Sequence, residues 1–360
     1  MKTYRVIGLM SGSSLDGLDL ADCRFWWDDG WKYRIHEARC LPYSEIWITT
    51  LRQARQLTAV QLQQLDHEFG KYIGECSLSF INSIDDATPI DAICSHGHTV
   101  YHFPEKGFTW QIGHGATLAA SCRLPVITDL RSTDIACGGQ GTPIVPIADW
   151  HLFPTFPVLL NIGGIANISV KTRDQIFAFD CCAANQLLNA FAGEAGLSFD
   201  KNGQIARQGN LIPACLEALN SSPFFHRPFP KSLDNGFSQE QIALMNPSWS
   251  VPDKLASACE HIAQQIAASL AMAVNQTGNT HLSEKQLLVT GGGAFNRYLI
   301  ERLDAHVPLE IVVPDVTTVM YKEALAMAFI GVLRLRGEAN VLCSVTGARH
   351  DTVGGALFLP

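Results

Sequence analysis

Three short glycine-rich turns hold the residues best suited to bind phosphate groups. They comprise Gly12, Ser13, Ser14, Leu15, Asp16, Gly17, Leu18 and Asp19 in the first turn, Gly163, Gly164 and Asn167 in the second, and Gly291, Gly292 and Gly293 in the third. Because glycine has no Cβ atom, the backbone N–H groups of such turns are open to phosphate oxygens. Each turn alone also fits an ordinary hairpin, where glycine and serine are common for conformational reasons. The third turn matches neither GxGxxG nor GxxxxGK[ST], which excludes Rossmann-type and Walker-type nucleotide sites there.

Acidic side chains indicate two further kinds of chemistry. Asp16 or Asp19 is suited to hold a magnesium ion, usually through water, because hard cations prefer oxygen ligands. Asp180 follows the apolar run 176–179, and we expect it to end a strand, where a general base can face a cleft. The alternative for Asp180 is a helix-capping role.

Four histidines lie close together along the chain between the first two turns, and they are His96, His98, His102 and His114. An HxHx3H spacing occurs in zinc sites, but no carboxylate completes the set here. We therefore expect ligand-contacting or structural histidines in place of a metal centre.

The elements that position these residues follow one layout twice. Strands are predicted at 4–10, 18–25 and 31–38, with the first glycine turn between the first two, and a long helix with capping-box spacing at Thr58 and Gln61 follows. The second copy has strands at 158–162, 165–170 and 176–179, again around a glycine turn. Farther on, an amphipathic helix stops near Gly278, a strand at 286–290 leads into the third turn, and a last helix covers 323–335. Duplication of this kind predicts two related domains that face each other across a cleft.

Composition narrows the class of protein. The 360 residues are 47% hydrophobic and 17% charged, which is typical of a well-buried α/β enzyme. The net charge of −8, without a basic run, argues against a nucleic-acid or anionic-membrane partner. We find no signal-peptide pattern and no stretch that approaches the roughly 18 apolar residues needed to span a bilayer. The 11 cysteines lack a CxxC pair and are expected to be reduced thiols of a cytoplasmic protein.

Several motifs together resemble one family, the anhydro-N-acetylmuramic acid kinases, within the superfamily of actin, sugar kinases and heat-shock chaperone ATPases. MSGSSLDGLD at 10–19 resembles the family's MSGTSxDGxD, and SHGHTVYH at 95–102 resembles SHGQTVxH. QIGHGATLAA at 111–120 and TDLRSTDIACGGQGTPIVP at 128–146 resemble QIGxGxxLA and DFRxxDxAAGGQGAPLVP. LNIGGIANIS at 160–169, TGGGAFN at 290–296, EALAMAF at 323–329 and SVTGA at 344–348 match as well. The motifs span nearly the whole chain.

The resemblance implies a fold of two actin-like (ribonuclease H-like) α/β domains, with mixed sheets flanked by helices and an interdomain cleft. Domain I would comprise 1–140 and 325–360, with the first phosphate loop and part of the sugar site. Domain II would comprise 141–324, with the second phosphate loop, the catalytic aspartate and the adenosine-side glycines.

The resemblance also implies a reaction that uses ATP and Mg²⁺, with Asp16 as the residue that would hold Mg²⁺ through water. Water opens the 1,6-anhydro bridge of 1,6-anhydro-N-acetylmuramic acid, and the 6-oxygen receives the phosphoryl group, giving N-acetylmuramic acid 6-phosphate in cell-wall recycling. The family base lies in an FDTGPxN motif, whose place is taken here by residues 179–185 with Asp180 as the base. The residues carried over as substrate contacts are His96, His98, Arg131, Asp134, Gly139, Gln140, Asn185, Asn296 and Glu323. Glu323 is expected to open the last helix. The expected partner is this small amino-sugar substrate, and a homodimer is compatible with the sequence.

The chain departs from the family pattern beside the expected base. Cys181-Cys182-Ala183-Ala184 replaces the Thr-Gly-Pro-small run, and His98 stands in place of glutamine. These changes leave open a kinase of the same fold for another amino sugar. A second alternative is a non-catalytic ATP-binding sensor, against which the retained aspartates and the three glycine turns weigh.

Overall fold

The computed structural model describes residues 2–12, 14–233, 236–278 and 286–360. Ser13, which the sequence analysis placed in the first phosphate loop, lies outside the described residues. The described strands are β1 Tyr4–Ser11, β2 Gly17–Trp27, β3 Trp31–Pro42, β4 Ala92–Ser95, β5 His98–Phe103, β6 Phe108–Ile112, β7 Val126–Thr128, β8 Val158–Ile162, β9 Ile165–Lys171, β10 Ile176–Ala183, β11 Gln286–Thr290, β12 Glu310–Val312 and β13 Ala356–Phe358.

Helices alternate with these strands through most of the chain. They are α1 Glu45–Gln53, α2 Ala59–Asn82, α3 Gly115–Cys122, α4 Ser132–Ala136, α5 Pro146–Leu152, α6 Asn185–Glu194, α7 Pro213–Asn220, α8 Phe237–Ala243, α9 Val251–Thr277, α10 Arg297–Asp304, α11 Val316–Arg336 and α12 Cys343–Thr346. Short 3-10 helices include Pro223–His226 and Gly292–Phe295.

Two compact units divide the chain. The first unit comprises Met1–Phe153 and Tyr321–Pro360, and the second comprises Pro154–Met320. The domain bounds expected from the sequence, at 140/141 and 324/325, stay a prediction.

The first unit is built on a six-stranded sheet in the order β13-β7-β4-β1-β2-β3. β1, β2 and β3 pair antiparallel, and β4 and β7 continue parallel to β1. The helix α2 packs one apolar face against the sheet. The residues of this face recur at helical spacing, and the buried ones are Leu62, Leu65, Phe69, Ile73 and Phe80. The capping box predicted at Thr58 and Gln61 is present and fixes where α2 begins.

The second unit repeats this arrangement with a five-stranded sheet in the order β10-β9-β8-β11-β12. Its first three strands pair antiparallel, and β11 and β12 continue parallel to β8. α9 packs its apolar face on the sheet and ends at Gly278, whose φ of +64° lies in the left-handed region that favours glycine. Each unit therefore has the strand order 3-2-1-4-5 of a ribonuclease H-like domain, which confirms the predicted fold class.

The helix α11 corrects one expectation from the sequence. It has 21 residues and a mean hydropathy of 1.5, so by length and composition it is apolar enough to cross a membrane, and the earlier statement that no stretch approaches that limit is wrong. The helix is mostly buried inside the protein, and Ala324 to Val332 form part of a core. The backbone of β1 lies against it, since a Cβ atom at Gly8 would come within 1.8 Å of the Ala324 carbonyl oxygen. A helix that is apolar on all sides is typical of a core position as well as of a membrane span.

Candidate active site

The first glycine turn joins β1 to β2 and presents few side chains. Leu15 has a φ of +60°, and its side chain is buried with that of Leu18 in the core of the first unit. Only the backbone groups of these two residues can therefore serve a nucleotide, as the prediction of phosphate binding through backbone N–H groups requires. Gly17 must be glycine, because a Cβ atom would lie 2.5 Å from the Leu41 carbonyl oxygen.

The hydroxyl of Ser11, at the end of β1, is occupied by protein partners. The Tyr43 hydroxyl donates to Ser11 Oγ at 2.7 Å, and Ser11 Oγ lies 3.2 Å from His98 Nδ1. Burial lowers the pKa of His98 to about 4, so its ring is neutral near pH 7. Because Ser11 Oγ accepts from Tyr43, the Ser11 hydroxyl can donate its own proton to His98 Nδ1. The proton of the neutral His98 ring then lies on Nε2, which is left as an N–H donor.

Two carboxylates flank this turn. Asp16 is exposed, and Asp19 is partly buried on β2. Burial raises the pKa of Asp19, a hydrogen bond with the Cys40 thiol lowers it, and the Asp16 carboxylate raises it again. A bound cation would relieve this repulsion, so the donor set fits a hard divalent ion.

His96 and Arg131 each bring a buried nitrogen without a described partner. His96 Nδ1 lies 3.0 Å from the Gly97 carbonyl oxygen, so Nδ1 carries the proton and Nε2 is an acceptor. Burial and the nearby Arg131 charge lower the pKa of His96 to about 3. Among the described residues, neither His96 Nε2 nor Arg131 Nε has a hydrogen-bond partner. Polar atoms in this state are rare in folded proteins, and a ligand can satisfy them.

Glu323 lies in the interior of α11, not at its start. The helix begins at Val316, and Tyr321, with φ −117° and ψ 15°, marks a kink two residues before Glu323. The expectation that Glu323 opens the helix therefore holds for the segment after this kink, where Glu323 lies in the first turn, and not for α11 as a whole. Burial raises the pKa of Glu323, Lys322 lowers it, Asp19 raises it and Arg131 lowers it, so these charges interact within one region of the first unit.

Asp134 has a different environment from the one expected of a sugar contact. It is fully buried, Oδ2 accepts from the Gly141 N–H at 2.7 Å, and Oδ1 accepts from the Thr346 hydroxyl at 2.7 Å. Gly139 fits against it, since a Cβ atom there would lie 2.1 Å from Asp134 Oδ2. Asp134 and Gly139 thus shape the loop, and their assignment as substrate contacts stays a prediction, whereas Gln140 is exposed.

In the second unit, the two remaining glycine turns lie together. The strands β8 and β11 are parallel neighbours, so their turns meet at one edge of the sheet. A Cβ atom at Gly291 would lie 2.6 Å from Asn161 Oδ1, and one at Gly293 would lie 2.2 Å from Ile162 Cγ2. The carbonyl oxygens of Gly163 and Gly164 accept from the first N–H groups of α6, so the turn can offer phosphate only its own N–H groups.

A row of polar side chains crosses three strands beside these turns. Asn161 of β8 is directly opposite Asn167 of β9, which is directly opposite Asp180 of β10. All three are partly exposed, whereas their neighbours along each strand belong to the apolar core on the other face of the sheet. Directly opposite residues share a face. Asn167, predicted to bind the cofactor, therefore lies beside the expected base.

Asp180 lies inside β10 and does not end it. The strand runs on to Ala183, with a bulge between Asp180 and Cys182, so the expected strand end is wrong. The Leu233 N–H donates to Asp180 Oδ2 at 2.8 Å. Burial raises the pKa of Asp180 to about 6, while the Leu233 hydrogen bond and Lys231 lower it. A carboxyl group with this pKa can accept a proton near neutral pH.

The residues after Asp180 pack into the core. Cys181, Cys182, Ala183 and Ala184 are all buried, and Ala184 precedes α6 without a side-chain cap. Asn185 Nδ2 donates to the Ile162 carbonyl oxygen at 3.0 Å and lies near Gly292. Asn296 Oδ1 accepts from the Leu299 N–H at 3.0 Å and caps α10. Its oxygen is thus used for helix capping, and its assignment as a sugar contact stays a prediction.

Four groups near the site were not predicted from the sequence, and they are Asn161, Lys231, the Leu233 N–H and Tyr43. Asn161 lies within a quoted motif, and its alternation with buried Leu160 and Ile162 was the available signal. The other three act on the site from segments outside the quoted motifs, so no pattern in the chain pointed to them.

Metal-ligand geometry occurs once in the part of the chain that the structure describes, at Asp22, His36 and Asp86. Arg5 and Arg24 form ion pairs with these two carboxylates, so the cluster is already neutralised by protein groups. The four histidines considered for zinc do not form such a group among the described residues.

The chain is similar to known proteins over nearly its whole length. The family model for anhydro-N-acetylmuramic acid kinase matches residues 4–360. Proteins of that name from Aliivibrio fischeri and Vibrio cholerae are each 33% identical, covering 98% of this chain and 99% and 98% of the relatives. Among solved structures, an activator of 2-hydroxyisocaproyl-CoA dehydratase from Clostridium difficile aligns with a TM-score of 0.43 at 13% identity, covering 90% of this chain and 92% of the other. Hexokinase from Schistosoma mansoni aligns with a TM-score of 0.38 at 12% identity, covering 91% and 85%.

Proposed function

The chain belongs to the anhydro-N-acetylmuramic acid kinase family, and we propose that it uses the Asp180 carboxylate as the general base of that kinase reaction. Membership confirms the family predicted from the motifs, and it makes the protein an ATP-using sugar kinase that acts on a small amino sugar. The observation that carries the proposal is the state of Asp180, whose carboxyl group has one oxygen held by a backbone N–H and a pKa of about 6.

The reaction on 1,6-anhydro-N-acetylmuramic acid needs a proton acceptor beside the anomeric carbon. Asp180 accepts a proton from water as the water oxygen bonds to that carbon and the bond from the anomeric carbon to the 6-oxygen breaks. The 6-oxygen takes the γ-phosphoryl group, and ADP leaves. Asn161 and Asn167 share the face of Asp180 and are placed to orient the water or the sugar through their amide groups.

The phosphate groups are assigned to the backbone N–H groups of the glycine turns, with Asp16 and Asp19 as the residues that would hold Mg²⁺ through water. When bound, that ion neutralises charge on the transferring phosphoryl group. On the sugar side, His96 Nε2 accepts from a hydroxyl or amide N–H, and Arg131 and His98 donate. Glu323 and Gln140 complete the assigned contacts, and Asn185 spans the second and third turns.

The wider setting is also proposed. The described cysteines are free, which fits the reducing cytoplasm where ATP is available. Magnesium as the metal, the cytoplasm as the location and a homodimer as the assembly stay predictions.

The test is sugar-dependent ADP release with Mg-ATP and 1,6-anhydro-N-acetylmuramic acid. Asp180→Asn keeps an oxygen that can accept from the Leu233 N–H but removes the base, so we expect a rate loss on the order of 10²–10⁴-fold. Asp174→Asn is the matched control, because Asp174 is exposed in the turn between β9 and β10. Full activity of folded Asp180→Asn would refute the role of Asp180. Turnover of other amino sugars at an equal rate would refute the substrate.

A further inference from the structure

The segment 231–233 touches Asp180 through its backbone at two points. The Asp180 N–H donates to the Lys231 carbonyl oxygen at 3.1 Å, and the Leu233 N–H donates to Asp180 Oδ2 at 2.8 Å. Because Oδ2 is held, Oδ1 is the oxygen placed to accept the proton of water. The orientation of the base thus depends on where this segment lies.

The Lys231 side chain ties the segment to neighbouring structure. Its ammonium group donates to the carbonyl oxygens of Phe224 and Phe225 at 3.4 and 3.3 Å. The same nitrogen lies 4.7 Å from the centre of the Phe224 ring and 5.8 Å from that of Phe179, which immediately precedes Asp180 on β10. Cation–ring contacts and hydrogen bonds of this kind together restrict a flexible lysine side chain.

Three titratable groups face Asp180 from the described part of the chain. Lys231 comes from the segment, and Cys181 and Cys182 follow on β10. Burial raises the pKa of Cys181 to about 12 and that of Cys182 well above its usual range, so both thiols are neutral. Lys231 is therefore the charged group that acts on Asp180 within the described ranges, and Asp234 lies outside them.

We propose that Lys231 is a positioning residue for the kinase reaction, which holds the segment 231–233 against the Asp180 carboxyl group and supplies the positive charge beside it. The inference rests on the proposed function, in which Asp180 is the base. Since an adjacent cation favours the ionised carboxylate, loss of the ammonium group must make Asp180 harder to deprotonate. Activity would then fall mainly at low pH, where the base is protonated.

The experiment is the dependence of kcat/KM on pH between 5 and 9 for three variants at position 231. We expect the kcat/KM of Lys231→Met to be about fivefold below the wild-type value at pH 6 and less than about twofold below it at pH 8.5. These losses correspond to a rise of about one unit in the pKa of the base. Lys231→Arg keeps the charge and should retain the wild-type profile. Lys231→Gln keeps a hydrogen-bond donor without charge and should show the same low-pH loss as Lys231→Met. Arg173→Met is the matched control, because Arg173 is exposed in the turn between β9 and β10.

The outcomes separate this inference from the proposed function. An equal loss at all pH values in Lys231→Met and Lys231→Gln, or an unshifted profile, overturns the role of Lys231. If Lys231→Met does not fold, Lys231→Gln and Lys231→Arg decide the question by the same comparison. Inactive Asp180→Asn with unshifted Lys231 variants leaves the base assignment intact, whereas fully active Asp180→Asn removes the premise of both.

Discussion

Asp134 in the first unit and Asp180 in the second are acidic residues from two different family motifs, and their surroundings are opposite. Asp134 is fully buried, and its two carboxyl oxygens accept from the Gly141 N–H and the Thr346 hydroxyl. Asp180 is partly exposed, and the Leu233 N–H holds one of its oxygens. Burial raises the pKa of Asp180 to about 6.

The difference shows how a carboxyl group becomes structural or chemical. A carboxylate that is fully buried, with each oxygen accepting from a protein donor, stabilises the loops that it joins. A carboxylate held by one oxygen keeps the other for proton transfer, and its raised pKa brings it near the working pH. The same residue type therefore performs two tasks.

The largest expected effect separates the two residues by stability. Asp134→Ala should lower the free energy of unfolding by about 3 kcal/mol, because two buried donors lose a charged acceptor. Asp180→Ala should cost less than about 1 kcal/mol, since water can reach the donor that it leaves. Urea unfolding of both variants measures the difference, and equal costs would contradict the structural role of Asp134.

Glycine substitutions sharpen the same contrast at the neighbouring loops. Gly139→Ala places a Cβ atom 2.1 Å from Asp134 Oδ2, so we expect a loss of about 2 kcal/mol. At Gly163 the nearest described contacts of a Cβ atom are at 3.5 Å, so Gly163→Ala should change stability by less than about 0.5 kcal/mol. Thermal unfolding of the pair is the measurement, and a stable Gly139→Ala protein would show that the loop can move away from Asp134.

The pH dependence of kcat/KM and of the free energy of unfolding tests the raised pKa of Asp180. With a pKa of about 6, kcat/KM should be about tenfold below its plateau at pH 5. The folded-state pKa lies above the unfolded value, so ionisation of Asp180 opposes folding, and its contribution to stability improves as pH falls from about 7 towards 4. Asp180→Asn should lack this contribution in unfolding curves at pH 7 and pH 5. A flat activity profile down to pH 5 would contradict the raised pKa.

The smallest effect is expected at His98, where the chain departs from the family's glutamine. His98→Gln should keep kcat/KM within about threefold, because glutamine can accept from the Ser11 hydroxyl and still donate to sugar. His98→Leu removes both functions and serves as the contrasting variant. Steady-state kinetics with the anhydrosugar distinguishes them, and equal kinetics for both variants would exclude a sugar contact at this position.

Much of the fold was predictable, because each strand and helix carries its own local pattern. The capping box at Thr58 and Gln61 and the glycine that ends α9 are short-range signals, and both are confirmed. The end of β10 was wrong, since pairing with β9 extends the strand past Asp180, and the helical segment that precedes the kink at Tyr321 was missed. Local patterns do not contain these tertiary contacts.

The sequence by itself determined the family, the repeated layout of strands and glycine turns, and the types of residue at the site, because motifs and periodicity are written in neighbouring positions. Only the tertiary structure decided which carboxyl group is held by two donors and which by one. Thr346 is 212 positions from Asp134, and Leu233 is 53 positions from Asp180. The pKa and the accessibility of a carboxyl group depend on burial and on such distant donors, and therefore follow from how the chain folds and not from the motif around the residue.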